Sequence, residues 1–99
     1  MTRSFIISTI ANRDIEAITD YLAENRGFET SDRFIKGMTD RLTQLTQLPQ
    51  MGRSRDEIFP GVRSLLYEKY LIFYTVTDDV VEINRVANGR QDLNQLFKR

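Results

Sequence analysis

The side chains available for chemistry here are fourteen carboxylates and fourteen basic groups, because the 99-residue sequence contains neither cysteine nor histidine. Without cysteine there is no disulfide, no thiolate nucleophile and no cysteine-ligated zinc. Without histidine the commonest general base and the commonest transition-metal ligand are also gone. Catalysis would fall to carboxylates, Arg, Lys, Tyr, Ser or Thr. The carboxylates form no convincing acid–base pair. Asp14 and Glu16 suit the acidic start of a helix, Asp56-Glu57 lies beside Arg53 and Arg55, and Asp78-Asp79 reads as turn chemistry. No glycine-rich phosphate loop and no Ser-His-Asp order can be assembled. The expectation is a chain with no catalytic residues, no metal and no cofactor.

The basic set is more informative. Eleven of the fourteen cations are Arg and three are Lys. Arg presents a planar fork to carboxylates, phosphates and aromatic faces, which favours it at recognition surfaces. Arg63, Arg85 and Arg90 fall on or beside strand-like segments. They can converge on phosphates, on an acidic partner, or on Glu68 and Glu82, and composition does not choose. From residue 85 to the end, Arg85, Arg90, Lys98 and Arg99 face only Asp92. The formal net charge of zero argues against sequence-blind coating of nucleic acid.

The elements that must position these groups follow from periodicity. A composition of 40% hydrophobic and 28% charged residues describes one globular domain over residues 1–99. Residues 4–10 are apolar and β-branched and read as a short strand. Asn12 is placed to cap a first helix whose apolar face is Ile15, Ile18, Tyr21 and Leu22, with Gly27 ending it. A second helix starts between Thr30 and Asp32, carries Phe34, Ile35, Met38, Leu42 and Leu45, and stops at Leu48-Pro49. Segments 62–67, 70–77 and 80–87 are strand-like, with Glu68-Lys69 and Asp78-Asp79 as two-residue turns. Asp92 to Phe97 has the pattern of a short closing helix. The fold class is therefore α+β: a short N-terminal strand, an antiparallel helical hairpin on a three- to four-stranded antiparallel sheet, and a short C-terminal helix. The sequence does not say at which edge the first strand pairs.

In the strand 70–74, alternation puts Tyr70, Ile72 and Tyr74 on one face and Leu71 with Phe73 on the other. A central strand packed on both faces explains this run better than a base-stacking platform. One face meets the helices. The other faces outward unless the first strand or the terminal segment covers it, and open apolar faces mark partner surfaces. Phe5-Ile6-Ile7 is too short for a signal core or a membrane span, so a cytoplasmic protein without membrane contact is expected.

The series Leu48-Pro49, Gly52-Arg53-Ser54-Arg55, Gly61-Val62-Arg63-Ser64-Leu65, Tyr70-Leu71-Ile72-Phe73-Tyr74, Ile83-Asn84-Arg85-Val86 and Gly89-Arg90-Gln91-Asp92 resembles the ParE toxins. These belong to the RelE/ParE superfamily of bacterial type II toxin–antitoxin systems. Asp14-Ile15 and Tyr21 extend the similarity over nearly the whole chain. The resemblance implies a strand, a helical hairpin and an antiparallel sheet. It also implies a ParD-like antitoxin whose disordered segment folds on wrapping the toxin in a hetero-oligomer. The implied target is DNA gyrase, inhibited by binding rather than by catalysis, with no sequence-specific nucleic-acid binding by the toxin alone.

The sibling RelE branch cleaves messenger RNA on the ribosome, using Lys and Arg side chains and usually a terminal Tyr. Matched along the shared strands, its central-strand Arg is Leu71 here and its terminal Tyr is Phe97. Its last-strand Arg falls on Gln91, with Arg90 adjacent, and its basic pair is reduced to Arg63. Proton transfer and oxyanion stabilisation both lack candidates, which favours the gyrase poison. The alternatives are a ribosome-dependent nuclease using Arg63, Arg85 and Arg90, and a non-toxic co-repressor that only binds antitoxin. For antitoxin binding the expected residues are Arg63, Tyr70, Phe73 and Arg85, on the exposed faces of the helices and sheet. For toxicity they are Arg90, Asp92, Phe97, Lys98 and Arg99 in the cationic terminal segment.

Overall fold

The computed structural model describes residues 3–90 and 93–97. The chain runs β1 (Ser4–Ile7), α1 (Thr9–Arg26), α2 (Phe28–Gln47), β2 (Arg53–Ser54), β3 (Arg63–Tyr67), β4 (Tyr70–Val76), β5 (Val80–Asn88) and one helical turn, α3 (Leu93–Leu96). The α+β class, the N-terminal strand and the helical hairpin are as expected from the sequence. The sheet is not. It has five strands in the order β1-β5-β4-β3-β2, and it is mixed, because β1 runs parallel to β5. The added strand, β2, is two residues long, too short for alternation to reveal it.

The helices start earlier than expected. Ser8, not Asn12, caps α1, its Oγ accepting from the Ala11 amide at 3.1 Å. The Ser8 amide still donates to Ile83 O at 3.0 Å, so this residue closes the β1 ladder and opens the helix at once. Thr9 and Ile10 are helical despite their strand propensity, because the cap outweighs a preference of a few tenths of a kcal/mol, about 0.5. Gly27 ends α1 at φ 91°, a backbone that favours glycine, and α2 begins directly after it. Leu48 ends α2 before Pro49.

Strand β4 lies at the centre of the meander, and its two faces pack against different cover. Tyr70, Ile72 and Tyr74 join Phe34, Met38, Leu42 and Leu45 of α2, and Val81, Ile83 and Val86 of β5, under the helices. A bulge sets the β5 contribution: Phe73 pairs with Arg85 and Tyr74 with Ile83, leaving Asn84 as the extra residue. Ile83 and Val86 thus share the helix face although they are three positions apart. The opposite face is covered, in part by the terminal segment, one of the two covers the sequence leaves open. Ile58 and Phe59 of the β2–β3 loop, with Leu93, Leu96 and Phe97, close over Val62, Phe73 and Ala87.

The segments before β2 and β3 are fastened by polar contacts. The Tyr74 hydroxyl donates to Pro49 O at 2.8 Å and accepts from the Gly52 amide at 2.9 Å. A Cβ at Gly52 would stand 2.5 Å from the Tyr74 Oη and 2.8 Å from Ser64 O, so glycine is required there. Arg63 Nη1 donates to Gly52 O at 2.7 Å. Asp56 accepts from the Gly61 amide at 2.9 Å, and this bond, helped by Ser54, holds its carboxyl below the usual carboxylate range.

Candidate functional site

Three of the elements above meet at a groove of about 580 Å³. Its walls are the C-terminal half of α1 (Tyr21, Arg26), the N-terminal half of α2 (Arg33, Phe34) and the β3–β4 turn from Tyr67 to Tyr70. Glu68 takes φ 54° to make that turn in two residues. The floor is aromatic: Phe34 packs against Tyr67 with centroids 5.1 Å apart and meets Tyr70 edge-on at 5.5 Å. The Tyr67 hydroxyl donates to Phe34 O at 3.0 Å and lies where a Cβ of Gly37 would be, so the small residue lets the turn close on α2. Burial pushes the Tyr67 and Tyr70 phenols above their ordinary value.

The rim is charged and unbalanced. Arg26, Arg33 and Lys69 line the groove against the single carboxylate of Glu68. Lys69 Nζ lies 5.8 Å from the Tyr70 ring centroid, within cation–π range. Tyr21 stands half-exposed at the opening. An apolar, aromatic floor under a cationic rim suits an amphipathic segment with apolar anchors and acidic flanks. Sequence reasoning missed this groove. The available signals were a glycine inside a helical pattern and tyrosines on three separate elements.

The residues expected to bind antitoxin are dispersed. Phe73 is fully buried and Tyr70 nearly so, Tyr70 contributing to the groove floor and Phe73 packing under the other cover. The exposure expected of them is absent within this chain, because each strand face is already sealed. Arg63 sits opposite Tyr74 on the helix side, whereas Arg85 sits opposite Phe73 on the other side. Arg85 is bound to Asp14, Nε to Oδ2 at 2.9 Å and Nη2 to Oδ1 at 3.1 Å, and its Nη1 donates to Leu96 O at 3.1 Å. Asp14 is thereby an interior partner of β5 rather than a first-turn helix charge. Of the expected toxicity residues, Arg90 is exposed beyond β5, and Phe97 packs edge-on against Phe73 and Phe59 at 5.1 and 5.4 Å. Asp92, Lys98 and Arg99 lie outside the described residues. Arg63, Arg85 and Arg90 therefore do not gather on one described surface.

The hairpin-on-sheet arrangement is shared with chains of bacterial toxin–antitoxin assemblies. A chain of the chromosomal ParDE system from P. aeruginosa superposes with a TM-score of 0.74 at 24% identity, covering 88% of this chain and 96% of that one. A chain of the RelBE2 toxin–antitoxin complex from Mycobacterium tuberculosis gives 0.67 at 18% identity, covering 89% and 99%.

Sequence narrows that class. Toxin ParE1 of Mycobacterium tuberculosis is 26% identical over 96 residues, spanning 96% of this chain and 98% of the relative. Toxin ParE3 of Caulobacter vibrioides is 24% identical over 80 residues, spanning 81% and 80%. Residues 5–93 match the family described as ParE toxin of type II toxin-antitoxin system, parDE. The chain belongs to the ParE toxin family.

Proposed function

We propose that this ParE-type toxin poisons DNA gyrase by binding, catalyses no reaction itself, and is held inactive in the cytoplasm by a ParD-like antitoxin. The family match over residues 5–93 carries this reading. The placement of the arginines supports it against the ribonuclease alternative. A phosphoryl-transfer site needs its cations aimed at one phosphate, whereas Arg63 and Arg85 occupy opposite faces of the sheet and Arg85 is committed to Asp14. Leu71 and Phe97, at positions the nuclease branch fills with Arg and Tyr, carry no ionisable group.

For the antitoxin, the groove between the helical hairpin and the β3–β4 turn is the favoured docking surface. An acidic amphipathic segment would set apolar side chains on Phe34, Tyr67 and Tyr70 and pair with Arg26, Arg33 and Lys69. The toxin and antitoxin then form a hetero-oligomer. Among the described residues no helix is long and apolar enough to cross a membrane.

The test is a supercoiling assay with gyrase from the protein's own source, scoring lost activity and cleaved plasmid together. Cleaved DNA is expected with the toxin and should vanish when the cognate antitoxin is added. Undisturbed supercoiling by well-folded toxin would reject gyrase as the target, and ribosome-dependent RNA cleavage would be measured next.

A further inference from the structure

A bidentate ion pair lies away from the groove and joins residues 71 positions apart. Strand β1 pairs with β5 only from Val80 to Ile83, so from Asn84 onward β5 has a free edge. The start of α1 takes over that edge. Ser8 Oγ donates to Asn84 O at 3.1 Å, and Asp14 Oδ2 accepts from the Val86 amide at 2.9 Å. The bulge at Asn84 brings Arg85 alongside the same carboxylate, which it grips through two nitrogens. The Asp14 and Arg85 side chains are 15% and 23% exposed, so the pair is only partly screened by water.

The remaining guanidinium nitrogen, Nη1, donates to Leu96 O. This bond is the directional element in the seating of the chain's last described residues. A helix of four residues cannot hold itself, since helix nucleation costs more than one turn returns. The Leu93, Leu96 and Phe97 contacts on the sheet are apolar, and apolar contact does not fix orientation. Asp14 fixes the guanidinium plane, and the guanidinium fixes Leu96 O.

We infer that the Asp14–Arg85 pair is a positioning device that seats residues 93–97 on the sheet and so holds Phe97 in place for target engagement. The inference rests on the gyrase reading and on the expectation from the sequence that the terminal residues, Phe97 among them, make the toxic contact. Asp14 and Arg85 are not among the residues lining the groove, so the device predicts a separation: loosening it weakens target engagement and spares antitoxin binding.

The experiment uses the full chain, with Asp14→Asn and Arg85→Lys as separate variants. Amide hydrogen exchange across residues 93–97 is expected to accelerate by about tenfold or more in Asp14→Asn, while α2 exchanges as in the parent, because a partly buried charged partner is lost. Arg85→Lys keeps the positive charge and leaves Asp14 free to accept from Val86. One ammonium cannot grip Asp14 bidentately and reach Leu96 O as well, so the same segment should loosen. In the gyrase assay, the toxin concentration giving half-maximal plasmid cleavage should rise by about tenfold, while antitoxin affinity stays within about twofold. Parental exchange at 93–97 in both folded variants would overturn the device, whatever gyrase does. Faster exchange with unchanged poisoning would overturn its role in target engagement and leave the gyrase reading standing. If the parent itself spares gyrase, that reading fails first, and accelerated exchange confined to 93–97 would still uphold the seating. Should Asp14→Asn fail to fold, Arg85→Lys decides alone.

Discussion

On the helix side of the sheet, Ile72, Tyr74, Val81 and Ile83 are sealed by helices of eighteen and twenty residues. On the other side, Phe73 and Val62 are equally inaccessible, yet their cover is a loop and a single helical turn. Equal burial therefore conceals unequal means of keeping water out. The two helices satisfy their own backbone and share the larger core with the sheet. The outer cover is a loop and one helical turn, which can lift as a local opening well below the global unfolding energy.

The largest test of that contrast is a pair of truncations. Ile83→Ala removes a fully buried side chain from the helix-side core, and a loss of about 2–5 kcal/mol is expected. In a chain of this size each kcal/mol lowers the melting temperature by about 4–8 °C. Phe97→Ala, at a half-buried position in the outer cover, should cost only about 1 kcal/mol of global stability. Its effect should appear instead as faster exchange around Phe59 and α3. Calorimetry showing equal global costs for the two variants would break the comparison.

A smaller effect is expected where the two covers meet the sheet's edge. Gly52→Ala places a methyl group against Ser64 O, a backbone atom that cannot swing aside, and against the Tyr74 hydroxyl. The overpacking should cost about 1–3 kcal/mol. Tyr74→Phe removes only the hydroxyl and leaves the Gly52 amide without its acceptor, at about 1–3 kcal/mol. If the loop is held mainly through Tyr74, the double variant in urea unfolding should cost clearly less than the sum of the two single losses.

Much of this frame was legible in the sequence because it is local. The stripes Ile15–Leu22 and Phe34–Leu45, the stop at Gly27 and the proline after Leu48 each act within one helical turn. The alternation along Tyr70 to Tyr74 likewise assigned both faces of β4 correctly. What escaped depends on partners far along the chain. Asp14 reads as a helix-start charge until Arg85 and Val86 are folded against it. The parallel pairing of β1 has no signature within four residues, and Thr9-Ile10 looks like more strand until Ser8 is seen to cap. Ile58-Phe59 is a short apolar pair inside a polar loop, so its part in covering the second face escaped, whereas the terminal segment was one of the two covers left open. The groove draws on α1, α2 and the β3–β4 turn, and no one segment announces it.

The smallest expected effect uses protons rather than substitutions. Tyr67, Tyr70 and Tyr74 all belong to the helix side, and burial raises each phenol above its ordinary value of 10.0. The aromatic residues of the outer side are Phe59, Phe73 and Phe97, which do not titrate. As pH rises past the ordinary tyrosine value, the unfolded chain gives up phenol protons that the folded chain still holds. Stability must therefore decline through that window, having been fully present below it. Mild alkali should loosen the helix side first, at the groove floor and the 49–52 loop, before residues 93–97 respond. Hydrogen exchange stepped from pH 9 to about 11, corrected for the intrinsic rate, reads that order. Earlier release of 93–97 would mean that the outer cover depends on the helix-side core, and that the two faces open as one unit.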